Sequence, residues 1–407
     1  MFFTLNENMF IVDGKDKFAL HDFNQKKLYM VNIRAGELLN MLTQGNSLEE
    51  CLEITGLDKE KTIAYLNGLE SKSLGKISDV FTRQEESLWQ FLERRKIKEN
   101  RKINFTWLEI TNNCNLRCIH CYNNSGPKVK TECSINFYNI VEQVKQLGCK
   151  KIQFTGGEPL IEKDLLLGLM DYVNKRQFEY KEIYSNLNLL DQDIIDSIVK
   201  NDFHIATSIY GHNESVHDAI TTVPGSFNKT INSVKKLKEM SVDIRVGIVL
   251  VDTNYKYRKK IVSFVKKMGI RNVKVDIVRG AGRGSVLFSE DFKNRKASKN
   301  SSCSNIICTK EFFWDAHLGH NCFSNHVCVN SAGDVFPCVM ERNSLGNMTQ
   351  QPLSQILETD NAKKIRETTK DSISGCNRCE LRYVCFDCRT ERKSEDFFSQ
   401  TICDRYP

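Results

Sequence analysis

Three cysteines stand close together in the stretch TNNCNLRCIHCYNNSG, Thr111 to Gly126, with three residues between Cys114 and Cys118 and two between Cys118 and Cys121. Two thiolates are too few for a stable iron-sulfur cluster, and four would close every coordination position. Three can hold three irons of a [4Fe-4S] cluster and leave the fourth iron open to a substrate or cofactor. Zinc is the competing chemistry, but structural zinc takes four ligands, commonly in CxxC pairs, and no obvious fourth residue stands near.

The end of the chain holds a second concentration of sulfur. Cys322, Cys328 and Cys338 surround VNSAGDVFPC, the run CNRCELRYVCFDC brings Cys376, Cys379, Cys385 and Cys388, and Cys403 follows near the end. These cysteines make two sets of four. A zinc ribbon built from the two CxxC pairs is the alternative that local spacing allows, and it leaves the other four without a purpose. The chain contains 16 cysteines and no secretory signal, which argues for metal or redox use over a disulfide framework. Cys51, Cys133 and Cys149 sit in or beside helical patterns and read as small core residues. Cys303 and Cys308 lie in the connection between middle and tail, where reactive thiols, extra ligands and inert residues are all open readings.

Two glycine-containing stretches add weaker signals. In FTGGEPL, Gly156 and Gly157 let the backbone come close to a ligand, and Glu158 supplies a carboxylate suited to a cationic amine. The run RGAGRG, Arg279 to Gly284, has the composition of a phosphate cradle but no clear helix after it. It reads as a flexible loop.

The elements that must position these residues follow from periodicity. INFTWLEIT, KKIQFTG, YKEIYSN, HIATSIYG, DIRVGIVLVD and NVKVDIVRG are rich in β-branched and aromatic residues and predict six strands. Helical patterns lie between them: Ser134 to Leu147 ending at Gly148, Ser226 to Met240, and Asn254 to Met268 ending at Gly269. Strand-helix alternation predicts an α/β fold with a parallel sheet that closes wholly or partly into a barrel. The first cysteine loop follows the first strand directly, at the carboxyl edge where such folds gather ligands.

Before this region, KFALHD and KKLYMVN alternate like strands. Two short helices are predicted next. Ser47 with Glu50 forms a capping box for one, and Asp58 precedes the other, with Ile63, Leu66 and Leu69 on one face. Strands followed by a helix pair describe a winged-helix-like module over residues 1–90. Its second helix, DKEKTIAYLNGLESK, is nearly charge-balanced, whereas a helix entering a DNA groove is clearly basic. Peptide binding leads as its role, a plain structural cap follows, and DNA binding is the least favoured.

Composition excludes several classes. The 407 residues carry 58 Lys and Arg against 51 Asp and Glu, a net charge of +7 too mild to argue for nucleic acid. The basic runs ERRKIKENRK and FKNRKASKNSSC read as solvated linkers. The longest apolar run, VGIVLV, is far short of the ~18 residues that span a bilayer. A cytoplasmic location is the expectation.

The CxxxCxxC spacing after the first strand resembles the signature of the radical S-adenosylmethionine (radical SAM) superfamily. That resemblance implies a partial (β/α)6 barrel in which the open iron is chelated by the amino and carboxylate groups of S-adenosylmethionine, whose reductive cleavage releases a 5′-deoxyadenosyl radical. GGEP at Gly156, Gly157, Glu158 and Pro159 resembles the family motif that contacts the methionine amino group. YSNLNLL resembles the TNG pattern at Ser185 and Asn186, with Leu187 where glycine is usual. TSIYGHNESVHD resembles a subgroup pattern in which Ser208 reaches the methionine carboxylate, with Tyr210 where many relatives carry aspartate. Tyr122, inside the cysteine motif, completes the implied cofactor-binding residues.

The tail resembles the SPASM extension, which binds two auxiliary [4Fe-4S] clusters. Carried over, Cys322, Cys328, Cys338 and Cys388 form the first set, and Cys376, Cys379, Cys385 and Cys403 the second. The family run is CxxC-x5-CxxxC, whereas here only Phe386 and Asp387 separate Cys385 from Cys388. The first ninety residues are similar in hydrophobic pattern to the leader-peptide recognition domains of peptide maturases. The implied order is a peptide-recognition module at 1–90, a basic linker at 91–102, a radical SAM partial barrel at 103–290, and a connection with the SPASM domain at 291–407.

The resemblance implies a maturase that installs cross-links, thioethers first among them, in a ribosomally synthesised precursor peptide with a leader. Its cofactors are S-adenosylmethionine and three [4Fe-4S] clusters, and its electron donor is of the flavodoxin or ferredoxin kind. The alternatives are a sulfatase-maturing (formylglycine-forming) oxidase, a carbon-carbon cross-linking maturase, and a zinc-stabilised peptide-binding protein without catalysis.

Overall fold

The computed structural model of the chain describes residues 1–82, 103–129, 135–287, 306–320, 322–386, 388 and 398. The expected linker at 91–102, the basic run at 292–303, and Cys133, Cys303 and Cys403 lie outside the described residues. The chain divides into two compact units, one built from 1–100, 302–321 and 367–407, the other from 101–301 and 322–366.

The first unit begins with β1 (Phe2–Leu5), β2 (Met9–Val12), β3 (Lys17–Asp22) and β4 (Lys27–Asn32). β2, β3 and β4 form an antiparallel sheet in that order. Asn32 ends β4 and at the same time caps a helix at Ile33–Thr43, its side chain accepting from the Ala35 amide at 2.9 Å. This helix and β1 and β2 were not predicted. A shared residue leaves no linker between strand and helix, so punctuation gives no sign of the boundary.

The next two helices start as expected. Ser47 and Glu50 form a reciprocal capping box on Leu48–Thr55, and Asp58 caps Lys59–Ser71. β5 (Gly75–Ser78) then returns to pair antiparallel with β1. Leu38, Leu39, Leu42, Leu48, Leu66 and Leu69 join β-strand residues in one core. A second core joins Val12 and Ala19 to Phe313 and Trp314 of a helix at Lys310–Leu318 and to Leu381, Tyr383 and Val384.

The second unit is organised by a nine-stranded sheet. All six predicted strands form: β6 (Phe105–Thr111), β7 (Lys151–Gly156), β8 (Tyr180–Tyr184), β9 (His204–Ser208), β10 (Ile244–Leu250) and β11 (Asn272–Ile277). They pair in parallel in sequence order. Beyond β6 the sheet continues with β12 (His326–Asn330), also parallel, then β13 (Asp334–Phe336) and β14 (Gly346–Asn347), antiparallel. Among the described residues the sheet does not close, since β11 and β14 are its ends. Residues 322–366, read from sequence as part of the tail, thus fold together with the barrel sheet.

Helices cover the parallel strands. Phe137–Gln146 buries Phe137, Ile140, Val141 and Val144 on one stripe, and full burial of each such side chain is worth on the order of 2 kcal/mol. It starts later than Ser134, because Asn136 accepts from the amides of Tyr138 and Asn139 and so sets the first turn. Ser226–Glu239 buries Ile231, Val234 and Leu237.

The single helix expected at Asn254 to Met268 is two, Asp252–Tyr255 and Arg258–Lys267. The Asn254 side chain is the reason. It folds back on the end of β10, accepting from Val251 N at 2.8 Å and donating to the carbonyls of Tyr210 and Val249. No described helix is long and apolar enough to cross a membrane.

Candidate active site

β6 delivers the cysteine loop to the carboxyl edge of the sheet, and the loop is pinned there from three sides. Cys114 N donates to Gly126 O at 3.1 Å, closing the loop on itself. Arg117 N and Ile119 N donate to Thr221 O and Ile220 O, the last carbonyls of a helix at Glu214–Thr221. From the neighbouring strand, Gly157 N donates to Thr111 O at 2.8 Å and Glu158 N to Asn113 O at 2.9 Å.

These contacts redefine the GGEP stretch. A Cβ on Gly156, whose φ is +139°, would lie 2.2 Å from Thr111 O, and one on Gly157 would lie 2.1 Å from Asn113 O. The close approach that requires glycine is therefore to the cysteine loop of the chain itself.

Glu158 also has a structural task. It is fully buried, and its carboxylate accepts from Leu160 N, from Ser185 Oγ at 2.6 Å and from Asn186 N at 2.7 Å. It braces the end of β8 against the end of β7. Burial pushes its pKa up to about 7, against the pull of those three donors. Pro159 is buried beside it, at the start of a short 3-10 turn.

The brace aims the next loop at the sulfurs. Asn186 Nδ2 donates to Asn115 Oδ1 at 2.8 Å and lies 3.9 Å from Cys114 Sγ. Leu187 stands in the left-handed region at φ +64°, fully buried. The position that is usually glycine in TNG therefore keeps the backbone shape that glycine favours, with a leucine in it.

Behind these loops lies a cavity of about 360 Å³. Cys114, Cys118 and Cys121 form one wall, and Tyr122, Gly156, Gly157, Ser185, Asn186 and Ser208 also face it. The Ser208 hydroxyl is 2.8 Å from that of Tyr184, for which Gly247 makes room: a Cβ there would lie 2.9 Å from the Tyr184 oxygen. Arg245, paired with Glu182 at 2.6 and 2.7 Å, carries positive charge to the same cavity. Burial pushes the Cys114 thiol up to about 12 and raises Cys118 well above the ordinary range. Such thiols ionise when a metal binds them.

Two further imidazoles face this cavity, and sequence reasoning missed both. His217 Nδ1 accepts from Tyr210 N at 3.2 Å, so Nε2 carries the proton. That Nε2, like His120 Nδ1, is buried without a hydrogen-bond partner. Three thiols on one wall and two unanswered imidazole nitrogens suit an iron-sulfur cluster with a polar organic ligand beside it. Among the described residues no three His, Cys, Asp or Glu side chains are placed to share one metal ion.

RGAGRG is ordered, contrary to the flexible loop expected. Gly282–Leu287 forms a 3-10 turn against the cysteine loop. Arg283 donates from its backbone to Cys121 O, from Nε to Cys118 O at 2.9 Å and from Nη2 to Ser125 O at 2.7 Å. Gly282 sits where a Cβ would meet Cys121 O and Tyr122 O at 2.4 Å. The composition suggested a phosphate cradle because glycines and arginines suit any close approach to oxygen atoms, and here the oxygens are carbonyls.

Tyr122 lines the cavity, and its hydroxyl donates to Glu109 at 3.1 Å. Of the tail cysteines, Cys322, Cys328 and Cys338 belong to the second unit, and Cys376, Cys379, Cys385 and Cys388 to the first. Cys51 and Cys149 are buried, as small core residues are.

Residues 108–265 match the radical SAM superfamily, and residues 322–380 match SPASM, an iron-sulfur cluster-binding domain. The AdoMet-dependent heme synthase of Methanosarcina barkeri is 24% identical over 69% of this chain and 89% of its own length. The antilisterial bacteriocin subtilosin biosynthesis protein AlbA of Bacillus subtilis is 22% identical over 72% of this chain and 69% of its own. Several other curated relatives are matched over only 48% to 62% of their length. Among solved structures, Streptococcus suis SuiB bound to precursor peptide SuiA shares the fold at a TM-score of 0.58, 16% identity and 99% coverage of both chains.

Proposed function

This chain is a radical SAM enzyme with an iron-sulfur-binding SPASM extension, and from that premise we propose that it cross-links a ribosomally made precursor peptide, with a thioether as the bond formed. The reading is carried by the presence in one chain of a cysteine-lined cavity and an N-terminal module whose β4 is a terminal strand of its sheet. A terminal strand offers backbone donors and acceptors to an extended peptide, the usual way such modules read a leader. The resemblance of AlbA, a bacteriocin biosynthesis protein, and the fold shared with SuiB in its precursor-peptide complex support the same substrate class.

When bound, a [4Fe-4S] cluster and S-adenosylmethionine supply reductive one-electron cleavage and hydrogen-atom abstraction. Cys114, Cys118 and Cys121 would hold three of the irons. The Gly156-Gly157 turn and the Arg283 clamp fix the loop on which those sulfurs sit. Ser208 and Asn186 offer polar groups to the methionine end, and the Nε2–H of His217 offers a donor from the cavity wall. The cavity walls would keep a reactive carbon radical beside its bound substrate and away from competing hydrogen donors. The tail cysteines, grouped as the family resemblance implies, would hold two auxiliary clusters. A thioether forms from S–H and C–H with loss of two hydrogens: one would leave as a hydrogen atom to the deoxyadenosyl radical, the other as a proton and one electron, and an auxiliary centre would supply an acceptor for that electron. A flavodoxin- or ferredoxin-type donor would supply the separate electron that reductive cleavage of S-adenosylmethionine consumes, and a reducing cytoplasm would keep the thiols available.

Anaerobic reconstitution with reductant, S-adenosylmethionine and the short peptide encoded nearest the gene tests this reading. The peptide is expected to lose two hydrogens per cross-link, and the bond to survive thiol alkylation. Formation of deoxyadenosine with no mass change in any candidate peptide would refute the cross-linking reading. Oxidation of a sulfatase-derived peptide instead would identify a formylglycine-forming enzyme.

A further inference from the structure

The turn between β2 and β3 grips the segment that carries Cys376, Cys379 and Cys385, all within the first unit. Lys15 N donates to Arg378 O at 2.8 Å, and His21 Nε2 donates to Glu380 O at 3.2 Å, so the carbonyls on both sides of Cys379 are held by the N-terminal strands. Arg382 reaches back to the same turn, donating to Asp13 O and to Asp13 Oδ1 at 2.6 Å each, while also donating to Cys379 O at 3.1 Å. Gly14 fits with no room to spare, since a Cβ would lie 2.6 Å from Glu380 Oε2 and 2.9 Å from Glu380 N. Beneath these polar contacts, Val12 and Ala19 share a core with Leu381, Tyr383 and Val384.

The cysteine segment supplies little regular structure of its own. Its local bonds are single turns, such as Cys379 N to Cys376 O at 2.9 Å and Cys385 N to Leu381 O at 2.9 Å. A short loop of this kind depends on outside contacts for a fixed sulfur geometry. Resting on the reading of Cys376, Cys379 and Cys385 as an auxiliary cluster site, we infer that the N-terminal module is a structural half of that site, with Asp13, Gly14 and His21 as positioning residues for its loop. Groups that orient metal ligands from outside commonly change metal affinity about 10- to 100-fold when removed. The module is thus not a detachable leader reader. Deleting the first ninety residues removes a leader-binding strand and loosens a cluster together, so loss of activity on deletion does not isolate leader recognition.

The test uses the full-length reconstituted protein, with iron release to a chelator and the electron paramagnetic resonance of the reduced auxiliary clusters as readouts. Gly14→Ala and Asp13→Ala are expected to make about one third of the iron labile, one cluster of three, released about 10- to 100-fold faster than in the parent. Asp13→Asn keeps an acceptor for Arg382 and is expected to restore slow release. Because the Asp13 side chain is 64% exposed, Asp13→Ala leaves the core intact even where Gly14→Ala disturbs folding. Cys376→Ala serves as the reference and should lack the same third. Parent-like release in Gly14→Ala and Asp13→Ala, with the loss seen in Cys376→Ala, overturns the positioning role. Full, tightly held iron in Cys376→Ala overturns the cluster assignment itself.

Discussion

Arg342 lies bidentate on the carboxylate of Glu109, at 2.9 and 2.6 Å, although 233 residues separate them in sequence. Glu109 sits on β6 with 2% of its surface exposed and also accepts from Tyr122, while Arg342 donates to Asn123 at 3.0 Å. One ion pair therefore ties the first barrel strand, the cysteine loop and the turn that follows Cys338. Burial and the nearby Glu109 charge together hold the Tyr122 phenol well above its usual range, so it stays a donor.

Removing the cation from this pair should be costly. Breaking a buried pair typically costs 3–5 kcal/mol, and because the Arg342 side chain is 30% exposed we expect about 2–3 kcal/mol for Arg342→Met. Arg342→Lys should recover only part of it, since an ammonium cannot match both carboxylate oxygens. Thermal unfolding without oxygen measures both, and equal midpoints for Met and parent would show that the pair contributes nothing.

The sequence made the parallel strands legible because each is a short β-rich run followed by a cap or turn, as in KKIQFTG before Gly157. The three-cysteine loop was legible because its spacing is a statement about chemistry. What stayed hidden was reach across the chain. Arg342 carries no local signal, although a glutamate inside the apolar strand FTWLEIT was a clue that some cation would meet it. Arg283 looked like part of a flexible loop because a carbonyl clamp and a solvated turn share the same composition. The bracing role of Glu158 was equally hidden, because its partners, the amides of Leu160 and Asn186 and the Ser185 hydroxyl, come together only in the fold.

Two glycines near the cysteine loop should respond in opposite ways. Gly157→Ala forces a Cβ to 2.1 Å from Asn113 O, so the loop must shift and iron binding at the first site should fail. Gly126→Ala meets nothing nearer than the Arg117 Cγ at 3.8 Å and should load iron like the parent. Iron content and visible absorption after identical reconstitution compare them. Equal loading would mean that the GG turn does not set the loop.

Leu187 poses a contest between backbone and side chain. Its left-handed φ of +64° costs a leucine about 1–2 kcal/mol, and the strain is held by Ser233 Oγ donating to its carbonyl and by Leu187 N donating to Ser185 Oγ, each at 2.8 Å. Leu187→Gly relieves that strain but deletes a fully buried side chain, a loss of about 3–5 kcal/mol. The side chain should win, leaving the variant about 2–3 kcal/mol less stable. A raised unfolding midpoint would show that the strain outweighs the packing.

His21 makes the first unit sensitive to acid. Burial lowers its pKa from 6.5 to about 4, against the opposing effect of its hydrogen bond to Glu380 O. Below pH 6.5 the unfolded chain takes up a proton that the folded chain refuses until about pH 4, so stability is full above 6.5 and falls as the pH drops between these values. The gap corresponds to about 2 kcal/mol lost by pH 5. His21→Phe removes this term but leaves Glu380 O without its donor, a cost of about 1–2 kcal/mol at every pH. The variant should therefore melt below the parent at pH 7 and approach or pass it at pH 5. Parallel decline of the two midpoints over that range would mean that His21 is not the group that titrates.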